Sequence, residues 1–252
     1  LSYDTKEQAL KWGENRGPAH TLYEKPAIYG MLPHNLTGAR VLSVGCGFGE
    51  ECQFIAQRGA EVVGTDYSEE MISIASSKFP QLTFVKVPME ELANTFQPAS
   101  FDIVFSSLAL HYAQDLRDPL AQFARVLKDS GEVILSTHHP VYWGGERATS
   151  AKEKMGLLGY RRDCGNGRTE HFGDYLADRK IVTQFGDTFD VIFFHNSLST
   201  MHRAVRSAGF YVDELVEPRP LEKCREEFPE FFETASRVPL FILLRLKKLN
   251  LP

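Results

Sequence analysis

From Arg40 onward, short runs of β-branched and apolar residues alternate with longer stretches that repeat at the helical period. The runs are VLSV (41–44), EVVGT (61–65), LTFVKV (82–87), DIVFSS (102–107) and EVILST (132–137). Strands separated by helix patterns in this way build a parallel sheet through crossover helices, so the pattern predicts a doubly wound α/β fold. Phe48, Cys52, Ile55 and Ala56 mark one helical face, which Gly59 ends, and Ser68 caps a helix that stops before Pro80. Asp118-Pro119 opens the clearest helix, with Leu120, Phe123, Ala124 and Leu127 at i, i+3, i+4 and i+7 and Gly131 beyond its end. Upstream, 5–16 and 20–31 carry helical patterns joined near Gly17-Pro18, with Trp12, Leu22, Tyr23, Ile28 and Tyr29 as apolar points. After residue 139 the rhythm lapses: 140–189 holds eight of the nineteen glycines and no clean period. It returns with a strand at 190–195, a helix from Ser199 to Ala208 ended by Gly209, and strands at 210–216 and 239–247. No repeat or linker divides the chain. The expectation is one domain over 1–252: a helical cap (1–39), a core (40–139), an inserted segment (140–196) and a C-terminal part that completes the sheet (197–252).

Composition narrows the function classes. With 43% hydrophobic and 24% charged residues, the 252-residue chain has the apolar content for a full core, which argues against disorder. The balance of 28 basic against 33 acidic residues leaves no basic stripe, so nucleic acid is not expected as a partner. The longest apolar run, near Pro239 to Leu244, falls far short of the roughly 20 residues that span a membrane, and LSYDTKEQALKW has no apolar signal-peptide core. No CxxC pair joins Cys46, Cys52, Cys164 and Cys224, so reduced thiols and a cytoplasmic location are the expectation.

The sharpest chemical signal is VLSVGCGFGEE, where a strand runs into Gly45, Gly47 and Gly49 and then into a helix. Glycines let the backbone turn tightly and approach a ligand, while the helix start offers unpaired N–H groups. Twenty-one residues after Gly45, at the end of the next strand, Asp66 stands where a carboxylate accepts hydrogen bonds from ribose hydroxyls. The alternative for Asp66 is a turn residue ahead of Ser68. Dinucleotide enzymes place a third glycine three positions after the second. Here Glu50 occupies that place, where its charge would repel a pyrophosphate, so a cofactor without phosphates suits the loop better.

VLSVGCGFGE, VVGTDYSEEMI and FDIVFSSLALHY resemble, in order, the motifs of class I S-adenosylmethionine-dependent methyltransferases of the small-molecule type. The resemblance covers about residues 40–139 and continues more weakly to 247. It implies a Rossmann-like, seven-stranded, mostly parallel sheet whose last strand, 239–247, is antiparallel, and S-adenosylmethionine as cofactor. It places Gly45, Cys46 and Gly47 beneath the methionine part, with Gly49 completing the loop. Asp66 would lie at the ribose, Tyr67 and Met71 beside the adenine, Met89 and Glu90 in the next adenine-side segment, and Ser106 near the amino end. Two departures stand out: Ser43 and Pro88 occupy positions where the family usually has an acid.

Methyl transfer from a sulfonium asks mainly for positioning, plus removal of a proton where the nucleophile is a hydroxyl or an ammonium. Histidine accepts such a proton near neutral pH. His111 follows the fourth strand, His138 and His139 follow the fifth, and His195 ends the strand at 190–195; these four are the candidate catalytic residues. Tyr142, Trp143 and Tyr175 are candidates for an aromatic wall, and 140–196 for a lid over a small-molecule acceptor. Adjacent histidines diverge on a strand, which weighs against a metal held by His138, His139 and His171. Cys46 reads as a small loop residue rather than a nucleophile, and Glu50-Glu51 as a solvated helix start. The rival readings are a nicotinamide-dependent oxidoreductase and a non-catalytic protein that retains the fold.

Overall fold

The computed structural model describes residues 17–145, 158–163, 165–185 and 189–249. The expected helix over 5–16, with Trp12, and the thiol of Cys164 lie outside these residues. The described chain opens with a π-helical turn, His20–Glu24, which runs directly into α1 (Lys25–Met31). The core then alternates as expected: β1 (Arg40–Val44), α2 (Glu50–Ala56), β2 (Glu61–Asp66), α3 (Glu69–Lys78), β3 (Thr83–Lys86), α4 (Leu92–Thr95), β4 (Phe101–Ser106), a 3-10 turn at Leu110–Tyr112, α5 (Arg117–Val126) and β5 (Leu127–His138). The C-terminal part supplies α7 (Leu198–Ser207), β10 (Phe210–Val216), α8 (Glu222–Glu227), α9 (Pro229–Ala235) and β11 (Phe241–Lys248). Between them lie α6 (Pro140–Trp143), β6 (Gly159–Arg162), β7 (Thr169–Phe172), β8 (Arg179–Phe185) and β9 (Phe189–His195).

Seven strands form one sheet in the order β10-β11-β5-β4-β1-β2-β3. The pairs β5/β4, β4/β1, β1/β2 and β2/β3 are parallel, and β11 runs antiparallel to both β5 and β10. Alternation along the strands divides the core. Leu42, Val44, Val104, Val133 and Leu135 face α5 and α7 through Leu120, Phe123, Met201 and Val205. Val41, Ile103, Phe105 and Ile134 face the other way, toward Tyr23 and Ile28 at the N-terminus and Cys52 and Ile55 of α2. Both faces are therefore covered, which is what lets these strands be apolar along their length. Ser68 caps α3 by accepting from the Met71 N–H at 3.3 Å, an arrangement worth about 1 kcal/mol.

Two regions differ from the sequence reading. Gly131 does not stop a helix: α5 ends at Val126, and Gly131 lies inside the twelve-residue β5, where a Cβ would stand 2.8 Å from the Asp102 carbonyl oxygen. The 190–195 strand, within the expected insertion, pairs in an antiparallel ribbon with β8, and β6 and β7 form a second ribbon, where the sequence showed no clean period. The segment after 139 is thus built partly of two-stranded ribbons. Lys180 and Val182 of β8 are exposed while Ile181, between them, is buried with Val191 and Phe193.

Candidate active site

The glycine loop after β1 is a left-handed staircase. Gly45, Gly47 and Gly49 have φ of 70°, 51° and 81°, values that residues with a Cβ rarely adopt. A Cβ on Gly45 would lie 2.3 Å from the Ala109 Cβ, so the loop after β1 and the loop after β4 touch there. A Cβ on Gly47 would meet no protein atom within 4 Å, because that side opens on a cavity. The Cys46 N–H donates to the Thr65 carbonyl at 2.9 Å and the Gly47 N–H to Asp66 Oδ2 at 3.0 Å, which pins the loop to the end of β2. Asp66 Oδ1 accepts from the Ser68 N–H at 2.9 Å. Asp66 is therefore a turn residue and a cavity residue at once, since each carboxylate oxygen keeps a second lone pair. Burial pushes its carboxyl upward, against the backbone N–H groups of Ser68, Gly47 and Tyr67, which stabilise the charge.

The cavity measures about 390 Å³ and sits at the carboxyl ends of β1, β2 and β4. This is the point where the sheet order reverses direction, the usual ligand crevice of open α/β sheets. Gly45, Cys46, Gly47, Asp66, Tyr67, Met71, Met89 and Glu90 all line it. Gly49 and Ser106 do not. Gly49 sets the entry to α2, and Ser106 is fully buried on β4, one residue before the lining residue Ser107. The Cys46 thiol is held protonated, its acidity suppressed first by Cys52 and then by burial, which leaves it a poor nucleophile. Burial also raises the carboxyl of Glu90.

Past Ala109 the wall changes character. His111 stacks on His138 with ring centroids 3.6 Å apart and planes 8° from parallel, and His138 stacks in turn on Trp143 at 3.7 Å and 7°. Phe193, from the β8–β9 ribbon, stands edge-on to all three rings. Burial holds His111 down at about 3, so its imidazole is neutral at physiological pH. His111, Tyr112, His138 and Trp143 line the cavity; His139 and His195 do not. His139 points elsewhere, as alternation along a strand requires, accepting from the Val141 N–H through Nδ1 and facing Glu217 Oε1 at 2.9 Å through Nε2. Its pKa is lowered by burial, with Glu217 opposing. His195 lies behind the ring stack, with Nε2 3.0 Å from the Tyr175 carbonyl oxygen and a pKa likewise lowered by burial. A second cavity of about 20 Å³, the size of one water, separates it from His111 and His138. Among the described residues no group of three His, Cys, Asp or Glu is arranged to hold a metal.

One part of the wall escaped the sequence reading. Glu51 is not a solvated helix start: it is 7% exposed, lines the cavity, and lies 3.7 Å from His20 and 3.5 Å from Lys25. His20 also lines the cavity. The acidic run at the start of α2 gave no hint of this, because the residues that cover Glu51 come from the helical turn thirty residues earlier.

The cavity therefore presents an open glycine backbone, a carboxylate at the end of β2 and two methionines, which fits an adenosine with a sulfur-bearing chain. The Methyltransferase domain family matches residues 42–135, the stretch from β1 to β5 that builds this wall. An S-adenosylmethionine-dependent methyltransferase from Mesorhizobium loti superposes with a TM-score of 0.71 at 29% identity, over 89% of this chain and 97% of that one. The stretch that builds this wall is a class I S-adenosylmethionine-dependent methyltransferase domain. Its cofactor is S-adenosylmethionine. The methyltransferase is also 27% identical to an uncharacterized protein of Haemophilus influenzae, over 88% of this chain and 86% of that one. It is 31% identical to a ubiquinone biosynthesis O-methyltransferase of Idiomarina loihiensis, of which it spans 56%. Among its described residues no helix is long and apolar enough to cross a membrane.

Proposed function

We propose that this methyltransferase methylates an oxygen, nitrogen or carbon of a small molecule that presents a flat, uncharged face to the His111–His138–Trp143 stack. The observation that carries the reading is that this stack and the glycine loop open into one cavity. The cofactor supplies a methyl group already activated on a sulfonium. In this reading the chain holds it from below through Gly45, Cys46, Gly47 and Asp66, with Tyr67, Met71, Met89 and Glu90 on the adenine side. Aromatic rings supply stacking and exclude water, and they bind neutral planar groups without a compensating charge. A histidine whose pKa lies near 3 is too weak a base to ionise an alcohol or an ammonium at neutral pH. His111 thus acts as wall and hydrogen-bond partner, and the acceptor arrives already nucleophilic or with an acidic hydroxyl. The β8–β9 ribbon roofs this half, packing Ile181, Val191 and Phe193 over Tyr112 and Trp143.

The relative from Idiomarina loihiensis is an O-methyltransferase of ubiquinone biosynthesis, which supports a hydroxylated ring as the first acceptor to try. The test is transfer of labelled methyl from S-adenosylmethionine into ring hydroxyls, aliphatic carboxylic acids and primary amines, with each product identified by mass. Turnover of the ring class above the others is expected. Turnover confined to charged, non-planar acceptors would overturn the reading.

A further inference from the structure

Beneath the loop after β4 lies a carboxylate with no exposed surface. Glu24, on the π-helical turn, is 0% exposed; its Oε1 accepts from Ser107 Oγ at 3.0 Å and from Ser136 Oγ at 2.5 Å. Ser136 Oγ in turn accepts from the Leu108 N–H at 3.0 Å, so Glu24 fastens the segment 107–109 that lines the cavity opposite Gly45. Glu24 Oε2 accepts no hydrogen bond among the described residues, and its neighbour is His20 Nδ1 at 3.2 Å. The other ring nitrogen of His20 is 3.7 Å from Glu51 Oε1, and Lys25 Nζ is 3.5 Å from the same oxygen. That spacing is beyond a good hydrogen bond, and both His20 and Glu51 face the cavity.

His20 and Glu51 line the same cavity as Gly45, Gly47, Asp66, Tyr67 and Met71. A buried carboxylate is costly unless it is paired, and both carboxylates face His20, with Lys25 beside Glu51. The wall offers both signs within a few ångströms: an acceptor oxygen on Glu51, and a donor N–H on His20 once Glu24 takes the opposite nitrogen. A zwitterion matches such a wall, and an adenosine held at Asp66 directs its sulfur-bearing chain along the glycine loop toward it.

We propose that His20 and Glu51 form the receptor for the α-carboxylate and α-ammonium groups of the cofactor's methionine part, with Glu24 and Lys25 as positioning residues behind them. His20, Glu24 and Lys25 lie outside the matched family stretch of 42–135, so the N-terminal segment is part of the cofactor site rather than a cap. The inference rests on S-adenosylmethionine as cofactor and not on the nature of the acceptor.

The test uses two ligands that differ in this one part. S-adenosylhomocysteine carries the amino-acid end, and 5′-methylthioadenosine lacks it. Calorimetry on the parent, His20→Ala, Glu51→Gln, Glu24→Gln and Asp66→Ala separates the contributions. His20→Ala and Glu51→Gln should each weaken S-adenosylhomocysteine by on the order of tenfold, the scale of one charge-assisted hydrogen bond. Both should leave 5′-methylthioadenosine within about twofold, which also shows that the variants are folded. Glu24→Gln should show the same split, more weakly, because it acts through His20. Asp66→Ala should weaken both ligands. Equal loss of both ligands in the His20 and Glu51 variants, or loss of neither, overturns the receptor while the Asp66 result still reports on the nucleoside site. A parent that binds neither ligand overturns the cofactor site and the receptor together.

Discussion

The nucleoside half of the cavity comes from one continuous stretch, Val44 to Glu90, in which most lining residues stand at or just after the end of a parallel strand. The ring half is gathered from the 3-10 turn after β4 and from β5, α6 and β9, from His111 to Phe193, and its rings hold one another in place. The first half is rigid because backbone bonds fix it: the Cys46 and Gly47 N–H groups are tied to β2 whatever the cavity contains. The second half depends on a ribbon that meets the sheet through side chains. A site divided in this way can keep one cofactor while its acceptor changes, because the parts that bind the two are not mechanically the same.

The largest effect should come from removing the ribbon. Replacing residues 145–194 with a short Gly/Ser link strips the ring stack of Phe193 and should lower acceptor turnover by about a hundredfold or more, since the acceptor is neither oriented nor shielded from water. Excision only as far as residue 185 would leave β9 without its partner and is the worse design. S-adenosylhomocysteine affinity should stay within a few fold, because Asp66 and the glycine loop lie elsewhere. Retained turnover in a preparation that still binds S-adenosylhomocysteine would place the acceptor outside this wall.

Asp66→Ala attacks the other half and should have the opposite signature. It removes a carboxylate that also accepts from the Gly47 and Ser68 N–H groups, so the loop loses an anchor as well as a ligand contact. The expected loss of S-adenosylhomocysteine affinity is about 1.5 to 3 kcal/mol, read by calorimetry. Unchanged affinity in a folded protein would mean that Asp66 serves the turn alone.

This division also explains what was legible in the sequence. The nucleoside half is local: strand, glycines, helix and the acid at the next strand end are written in order, and Gly45, Asp66 and Met71 could be read directly. The seven-stranded sheet was legible for the same reason, apart from Gly131, whose role is close approach to β4 rather than helix termination. The ring half was legible as residue types but not as geometry. Four histidines stood near strand ends, yet only packing separates His111 and His138, which stack, from His139 and His195, which turn to Glu217 and Tyr175. His20 and Glu51 were illegible because each looks ordinary alone, a polar residue on a short helix. Only the approach of the N-terminal turn to α2 makes them a pair.

Acid should distinguish the halves at a smaller scale. His111 is held near 3, below its ordinary 6.5, so the folded protein binds fewer protons than the unfolded chain between those values. The stability due to neutral His111 is complete above pH 6.5 and is lost as pH falls toward 3, by about 1.4 kcal/mol per pH unit. His139 and His195 shift in the same direction. Urea denaturation at pH 7.5 and 5.5 should show a drop of about 1.4 kcal/mol from His111, and His111→Gln should remove that part. An equal pH slope in parent and variant would show that His111 titrates normally and that the ring wall is wetter than its packing indicates.

The smallest effect is expected at Ser43, where the family usually carries an acid. Ser43 is 2% exposed and pairs with Phe105 on β4 and Gly64 on β2, with its side chain on the face of Val41 and Phe105. If Glu51 already supplies the negative charge at the cofactor's amino end, a second carboxylate in Ser43→Asp has little left to hold. S-adenosylhomocysteine affinity should then remain within about threefold of the parent, because the added charge gains some attraction for the ammonium group and loses a similar amount to burial. A gain of about tenfold would show instead that the anionic place is open in the parent. That outcome would leave the nucleoside half intact and take Glu51 out of the amino end. Calorimetry on Ser43→Asp and on Ser43→Asp combined with Glu51→Gln decides between them, since a carboxylate at 43 should restore the affinity lost at 51 if both serve the same group.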